Sequence, residues 1–263
     1  MSKTNSVIKP VAQAGLIAKG IVYCLLGLLA FMAAFHISGQ SAKSTDRTAV
    51  FEFVEKQPGG QIMLGVIALG LICYTFWRIF QASVKSDSNG KNSVRKRLRY
   101  IFSGIVYGVA AYSLLKSIFA SKSDSGNNSQ DMVREVLTKP YGQILVGAVA
   151  LTLLIIGIYQ IYYGLSEKYK EHVDKVISSN HREALLNSGK IGYVARGAVW
   201  IIIAFLFFKA ALHSNASEAG DTSKAFDFLQ SSSYGSYLLA AVALGLICYG
   251  TFNFVRARFE NFG

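Results

Sequence analysis

Six long stretches of the sequence are almost free of charged residues, and this feature restricts the fold more than any other. A transmembrane helix needs about 20 mainly apolar residues to cross about 30 Å of hydrocarbon. Each stretch reaches that length, and a sheet or a soluble helix would disperse its apolar residues with a regular period instead. The stretches cover residues 14–37, 57–77, 98–120, 140–166, 191–213 and 228–255. We therefore predict an all-helical integral membrane protein with six transmembrane helices.

Composition argues against the other broad classes. Only 16% of the 263 residues are charged, whereas about a quarter are charged in a typical soluble domain. The chain contains no phosphate-binding glycine loop, GxSxG or HExxH motif, so the sequence predicts neither an enzyme nor a cofactor. His36 and His213 occupy matching positions near the outer ends of the first and fifth spans. A haem or metal site would require them to face each other with further ligands, so no metal site is expected.

The distribution of Lys and Arg predicts the orientation in the membrane, because cytoplasmic loops retain an excess of positive charge. The N-terminus, the second and fourth loops and the C-terminus together carry fifteen of these residues, against seven on the other face. Both termini are therefore expected in the cytoplasm of a multi-pass protein of the bacterial inner membrane. The net charge of +12 then reflects topology and contact with anionic membrane lipids. No nucleic-acid-binding module is recognisable, and the oligomeric state is left open.

An internal repeat occurs three times and organises the chain into two-helix hairpins. Short polar-to-apolar stretches at Asp46–Val54, Asp131–Leu137 and Thr222–Leu229 separate the two helices of each hairpin and are predicted to be interfacial helices. Because every hairpin enters from the same side, the repeats are expected to be parallel around a pseudo-threefold axis. The first helices open with KGIVY at 19–23, SGIVY at 103–107 and RGAVW at 196–200, and the second helices contain ALGLICY at 68–74, ALTLLII at 150–156 and ALGLICY at 243–249.

The predicted organisation follows from these spans and repeats. It comprises a cytoplasmic N-terminal segment (1–13), repeat 1 (14–82), a basic cytoplasmic loop (83–97), repeat 2 (98–165), a charged cytoplasmic loop (166–189), repeat 3 (190–258) and a cytoplasmic C-terminus (259–263).

The repeated basic–Gly–x–x–aromatic opening, with the Gln57–Gly60 and Lys139–Gly142 openings of the second helices, resembles the bacterial membrane family called domain of unknown function 1206. The resemblance runs from about Ala14 to Arg258. It implies six helices in three repeats and no established activity. Ser103 departs from the basic pattern, and Trp200 replaces the usual Tyr.

Cations placed inside the spans are the candidate functional residues, because an intramembrane charge must snorkel, pair or face a water-filled cavity. Lys19 and Arg196 lie about one turn inside the predicted cytoplasmic ends, and Arg78 lies at the same side. Each basic–Gly–x–x–aromatic pair is four residues apart and shares one helix face, so a cation–aromatic cluster is possible. The candidate ligand-binding residues are Lys19, Tyr23, Arg78, Ser103, Tyr107, Arg196 and Trp200.

Two functions are compatible with this cationic layer. No Asp or Glu lies inside a predicted span, which argues against a proton relay and favours an anionic ligand. The leading hypothesis is non-enzymatic binding of an anionic lipid or an acidic partner through the cytoplasmic-side basic layer. The alternative is a transporter or channel for a small anionic solute along the pseudo-threefold axis.

Overall fold

The protein is all-helical wherever the computed structural model describes regular structure. The described residues are 3–57, 59–83, 101, 104, 107–108, 111–112, 115, 128–172 and 182–259. Within these ranges, eight α-helices of nine or more residues form. They are α1 (Lys3–Ala34), α2 (Arg47–Glu55), α3 (Gly60–Ser83), α4 (Asn128–Leu137), α5 (Gly142–Leu165), α6 (Arg182–His213), α7 (Thr222–Gln230) and α8 (Gly235–Phe259).

Five of these helices are long and apolar enough to cross a membrane, so this is a multi-pass membrane protein. A bilayer requires every backbone polar group to bond within the protein, and a helix satisfies this within one segment. The five spans are Pro10–Ala34, Gly60–Trp77, Gly142–Leu165, Glu183–His213 and Gly235–Phe259. They correspond to five of the six predicted transmembrane helices. Most of the remaining one, 98–120, lies outside the described residues, and the seven of its residues that are described are all helical.

The three short helices predicted inside the repeats are present as α2, α4 and α7. Asp46 caps α2, since its carboxylate accepts a hydrogen bond of 2.8 Å from the backbone N–H of Ala49. Asp221 caps α7 in the same way, at 3.0 Å from the N–H of Ser223. We call the side of the helices where α2, α4 and α7 lie the connector side.

Three helix starts differ from the prediction. The last span begins at Gly235 rather than at 228, because residues 228–230 continue α7 and residues 231–234 turn. Helices α1 and α6 begin at Lys3 and Arg182, inside the segments predicted to be a terminal extension and a loop. Both extensions continue a span into polar sequence, where the hydropathy signal ends but the helical hydrogen bonding does not.

The chain folds as two compact units. The first comprises Met1–Ile21, Phe51–Ser121 and Asn253–Gly263, and the second comprises Val22–Val50 and Lys122–Phe252. In unit 1, α1 and α3 approach closely, since a Cβ added at Gly70 would lie 2.5 Å from the Cβ of Ala18. In unit 2, α5 and α6 meet at Gly157 and Gly197, where a Cβ on Gly157 would lie 3.0 Å from the Gly197 carbonyl oxygen. These small residues allow the backbones to approach as they do in other membrane helix pairs.

Candidate ligand-binding site

Lys19 of unit 1 is enclosed by two tyrosine rings. Its ammonium Nζ lies 5.3 Å from the ring centroid of Tyr74 and 5.0 Å from that of Tyr107. The two rings meet edge to face with their centroids 4.7 Å apart. Lys19 is only 3% exposed, so the idea that it snorkels to the membrane surface is wrong. The ring faces supply an attractive site for the ammonium within the packed helices, so the charge need not reach water.

Arg196 of unit 2 occupies an equivalent arrangement. Its guanidinium carbon lies 5.3 Å from the ring centroid of Tyr23 and 4.9 Å from that of Tyr249. Its Nη1 donates a hydrogen bond of 2.5 Å to the Tyr249 hydroxyl. The Tyr23 and Tyr249 rings are again edge to face, with centroids 4.8 Å apart. Tyr249 therefore contacts Arg196 in two ways. Its ring lies against the guanidinium, and its hydroxyl accepts a hydrogen bond from it.

In both clusters, corresponding helices of the repeats supply the cation and the two tyrosines. The first helix of a repeat supplies the cation, and the second helix of the same repeat supplies a tyrosine, Tyr74 or Tyr249, at the end of the duplicated ALGLICY segment. The second tyrosine comes from the first helix of another repeat, as Tyr107 does for Lys19 and Tyr23 does for Arg196. In unit 1 the rings described beside Lys19 are those of Tyr74 and Tyr107, and in unit 2 the ring of Tyr23 lies beside Arg196.

The sequence reasoning missed Tyr74 and Tyr249. The signal was available, because both occupy the last position of an exactly repeated seven-residue segment. In repeat 2 the equivalent position is Ile156, so this repeat lacks the tyrosine of the other two. Ser103, which replaces the cation of repeat 2, lies outside the described residues, as does the side chain of Arg78.

A cavity of about 340 Å³ lies in unit 2, and Arg196 is part of its wall. Trp200 also lines it, one helical turn beyond Arg196. Most of the remaining wall is apolar, and two carboxylates, Asp46 and Asp221, complete it. The lining residues are Tyr23, Leu26, Asp46, Val149, Leu153, Arg196, Val199, Trp200, Ile203, Phe207, Gly220, Asp221, Thr222 and Leu246.

The lining residues on α6 run from Arg196 to Phe207, so the cavity lies along this helix. Arg196 and Phe207 are eleven residues apart on α6, which corresponds to about 16 Å at 1.5 Å per residue. Asp46 and Asp221 cap the first turns of α2 and α7, on the connector side. The 3-10 turn at Ala42–Ser44 packs against α7 and so brings the two capping residues to the same end. Val149, the wall residue on α5, is 46% exposed.

The two matching histidines both have side-chain partners in repeat 3, on the connector side. The Nδ1 of His213 lies 2.9 Å from the carboxylate of Glu218, which is also 3.4 Å from the Nζ of Lys209. The hydrogen bond to His213 is the main cause that lowers the pKa of Glu218. The Nε2 of His36 lies 3.2 Å from the side-chain amide of Gln230. Over the described ranges, no group of three His, Cys, Asp or Glu side chains is placed to hold a metal ion.

At the opposite side, just beyond the end of α5, Glu167 forms ion pairs with two lysines. Its carboxylate accepts from Lys170 at 2.6 Å and from Lys190 at 3.4 Å. These contacts, led by the bond to Lys170, lower the pKa of Glu167. Nearby, burial raises the pKa of Tyr169 to about 12. This cluster lies outside the cavity wall and connects the end of α5 to α6.

Comparison with known proteins identifies the family. The chain is similar to the uncharacterized protein YxxB of Bacillus subtilis (strain 168), with 26% identity over 262 residues, which cover 98% of this chain and 94% of that protein. No solved structure matches the chain. The model of the family described as Domain of Unknown Function (DUF1206) matches three times, at residues 14–85, 98–167 and 191–260. These three matches confirm the predicted repeats and the predicted resemblance, and the chain belongs to the DUF1206 family.

Proposed function

We propose that this protein is a non-enzymatic membrane protein that binds an amphipathic molecule by its anionic group, with Arg196 as the recognition residue. The observation that carries this proposal is the position of Arg196 in the wall of a largely apolar cavity. A carboxylate or phosphate attached to an apolar chain fits that combination, because the guanidinium binds planar oxyanions and the apolar wall accepts the chain. Val149 lines the cavity and is 46% exposed, so we expect such a molecule to enter from the bilayer beside α5.

The proposal assigns ligand binding to one cation of the predicted basic layer, Arg196. Lys19 is buried between Tyr74 and Tyr107, so we assign it a structural role. The predominance of Lys and Arg in the terminal segments and in the second and fourth loops supports cytoplasmic termini in the bacterial inner membrane. Arg196 would then lie near the cytoplasmic surface. Three repeats in one chain are compatible with a pseudo-threefold axis, but the cavity proposed here lies within unit 2 and does not depend on that axis.

Binding is better supported than passage of a small anion. A free anion that crossed the cavity would pass Asp46 and Asp221, and like charges repel strongly in a medium of low dielectric constant. Binding of an acidic protein partner is also less well supported, because Lys19 is buried and such a partner could not contact it. A single-chain amphiphile bound at Arg196 meets neither obstacle.

The chain offers a direct optical test, because it contains two tryptophans and Trp200 lines the cavity. In a W77F variant, Trp200 is the only tryptophan. Titration of this variant with dodecanoate, in nanodiscs of phosphatidylcholine, is expected to give a saturable change in Trp200 emission. In R196Q the affinity should fall by tenfold or more, since a hydrogen bond to a charged group contributes about 1.5–3 kcal/mol.

R258Q is the matched control, because Arg258 is exposed near the end of α8 and lies outside the cavity wall. It removes the same charge and should bind dodecanoate as the parent does. Equal affinity of R196Q and the parent would refute the proposal, as would the absence of a saturable change in the parent. Two further measurements of Trp200 emission distinguish the sources of the anion. A change in discs that contain phosphatidylglycerol, without added ligand, indicates a bilayer lipid. A change on adding dodecyl phosphate to phosphatidylcholine discs indicates a free amphiphile.

A further inference from the structure

We infer that Tyr249 is a positioning residue, which holds the guanidinium of Arg196 in the orientation that binds the anionic group of the ligand. This inference rests on the proposed function and names a residue that sets its specificity. The side chain of Tyr249 is only 1% exposed, and it does not line the cavity. Its effect on a ligand in the cavity should therefore pass through a residue that it contacts.

Tyr249 contacts the guanidinium at two points. Its hydroxyl accepts a hydrogen bond of 2.5 Å from Nη1, and its ring centroid lies 4.9 Å from the guanidinium carbon. A ring contact holds the position of the charge but restricts the direction of the N–H groups only weakly. A hydrogen bond at one nitrogen fixes that direction, because the guanidinium is planar and its donors have a fixed geometry. The other N–H groups of Arg196 are then held in place before the ligand arrives.

The ring of Tyr249 is itself fixed by its neighbours. It meets the ring of Tyr23 edge to face at a centroid distance of 4.8 Å, and the ring of Tyr193 at 5.3 Å. The backbone of α6 also lies against it, since a Cβ on Gly192 would lie 2.5 Å from the Cα of Tyr249. Gly192 lies one helical turn before Arg196 on the same helix face. Helix α8 therefore packs on α6 beside the cation, and a binding group supported by packed helices keeps its geometry.

A guanidinium that is already fixed binds an anion more tightly than a mobile one. The cost of ordering one long side chain on binding corresponds to about two- to tenfold in affinity. Tyr249 removes this cost, because Arg196 is ordered before binding. The gain applies only to a group that the guanidinium binds, so an uncharged amphiphile in the same cavity would not benefit. Tyr249 thus contributes to specificity for an anionic head group.

The duplicated segment provides a matched control. Tyr74 occupies the position of Tyr249 in the ALGLICY segment of repeat 1, and its ring also lies beside a cation, Lys19. Tyr74 belongs to unit 1 and does not line the cavity. Y249F and Y74F therefore remove the same hydroxyl from equivalent positions and keep both rings. Only Y249F removes the hydrogen bond to Arg196.

The experiment uses the W77F variant in phosphatidylcholine nanodiscs, in which Trp200 reports the binding of dodecanoate. We expect Y249F to bind dodecanoate about fivefold more weakly than the parent, because Arg196 must then be ordered on binding. Y74F should bind it as the parent does.

The same substitution in an R196K background separates positioning from packing. Lysine retains the positive charge, so binding remains measurable, but its ammonium is a compact point charge without a plane for Tyr249 to orient. Y249F should therefore change the affinity for dodecanoate by less than about twofold in the R196K background. A hydroxyl that acts only by packing would give the same loss in both backgrounds.

The outcomes separate this inference from the proposed function. If R196Q weakens dodecanoate binding and Y249F does not, the inference is wrong and the proposed function stands. Equal losses from Y249F in the arginine and lysine backgrounds would also overturn the inference, as would a loss in Y74F equal to that in Y249F. The absence of a saturable change in Trp200 emission in the parent would overturn both proposals.

Discussion

At the scale of single residues, the two cations of the repeated motif differ in what surrounds them. Lys19 is closed in by Tyr74 and Tyr107, whereas Arg196 touches two tyrosines and also lines a cavity. The choice of cation fits the difference. The lysine ammonium is a compact point charge, while the arginine guanidinium stacks on a ring with its faces and donates hydrogen bonds from its edge. Under the proposed function, one duplicated position serves packing in repeat 1 and ligand binding in repeat 3.

The structural role of Lys19 leads to a prediction about Tyr74. Leucine at this position removes the cation–ring contact and the edge-to-face contact with Tyr107, whereas phenylalanine keeps a ring in place. We expect Y74L to lower the free energy of unfolding by about 2 kcal/mol more than Y74F does. Equilibrium unfolding in mixed micelles measures the difference.

The matched background is K19M, which keeps a long apolar side chain and removes the ammonium. The gap between Y74L and Y74F should shrink by about half there, since only the contact between the rings remains. The same gap in both backgrounds would show that the tyrosine contributes by packing alone.

The sequence predicted the positions of the cations better than their partners. Charge inside an apolar run is visible directly, so Lys19 and Arg196 were identified. Partner choice depends on which helices pack together, and spacing along one helix does not contain this information. Tyr23 illustrates the point, since it lies four residues from Lys19 but contacts Arg196.

At the scale of helices, the repeated glycine at the start of each second helix has a packing explanation. A Cβ on Gly60, Gly142 or Gly235 would overlap a backbone carbonyl at the end of the short helix that precedes it, α2, α4 or α7. The helix ends themselves were predicted less well than the helices. The last span was placed too early because Phe228 and Leu229 are apolar, although they belong to the amphipathic helix α7.

The close approach of α5 and α6 leads to a second prediction. The Cβ of any side chain at Gly157 would already lie 2.7 Å from Cγ1 of Ile201. G157L should therefore force the helices apart and destabilise the protein by about 1–3 kcal/mol, the usual range for an overpacked core. The melting temperature of the detergent-purified protein reports the change.

Gly147 on the same helix provides the control. Among the described residues, a Cβ there meets no atom within 4 Å, so G147L adds the same side chain where the described part of the chain leaves space. Its melting temperature should match or exceed that of the parent, because glycine is a poor helix former. Equal losses in G157L and G147L would mean that the glycine contact does not limit the packing of α5 on α6.

At the scale of the whole molecule, the family matches establish three repeats, and the number of spans decides the topology. Five spans are described, and the third of the six predicted spans rests on the stretch at 98–120, whose only charged residues are Arg99 and Lys116. An even number of spans places both termini on one side of the membrane, and an odd number places them on opposite sides. The distribution of Lys and Arg favours the even number, with both termini in the cytoplasm.

Single cysteines introduced into a background without Cys24, Cys73 and Cys248 decide between these arrangements. N5C and R258C report the termini, and S232C reports the exposed turn between α7 and α8. In right-side-out vesicles, a membrane-impermeant maleimide should label S232C, whereas N5C and R258C should react only after permeabilisation. Labelling of one terminus but not the other would remove the third span from the topology. Labelling of both termini with protection of S232C would keep six spans and invert the orientation, which would place the Arg196 side of the cavity at the outer surface.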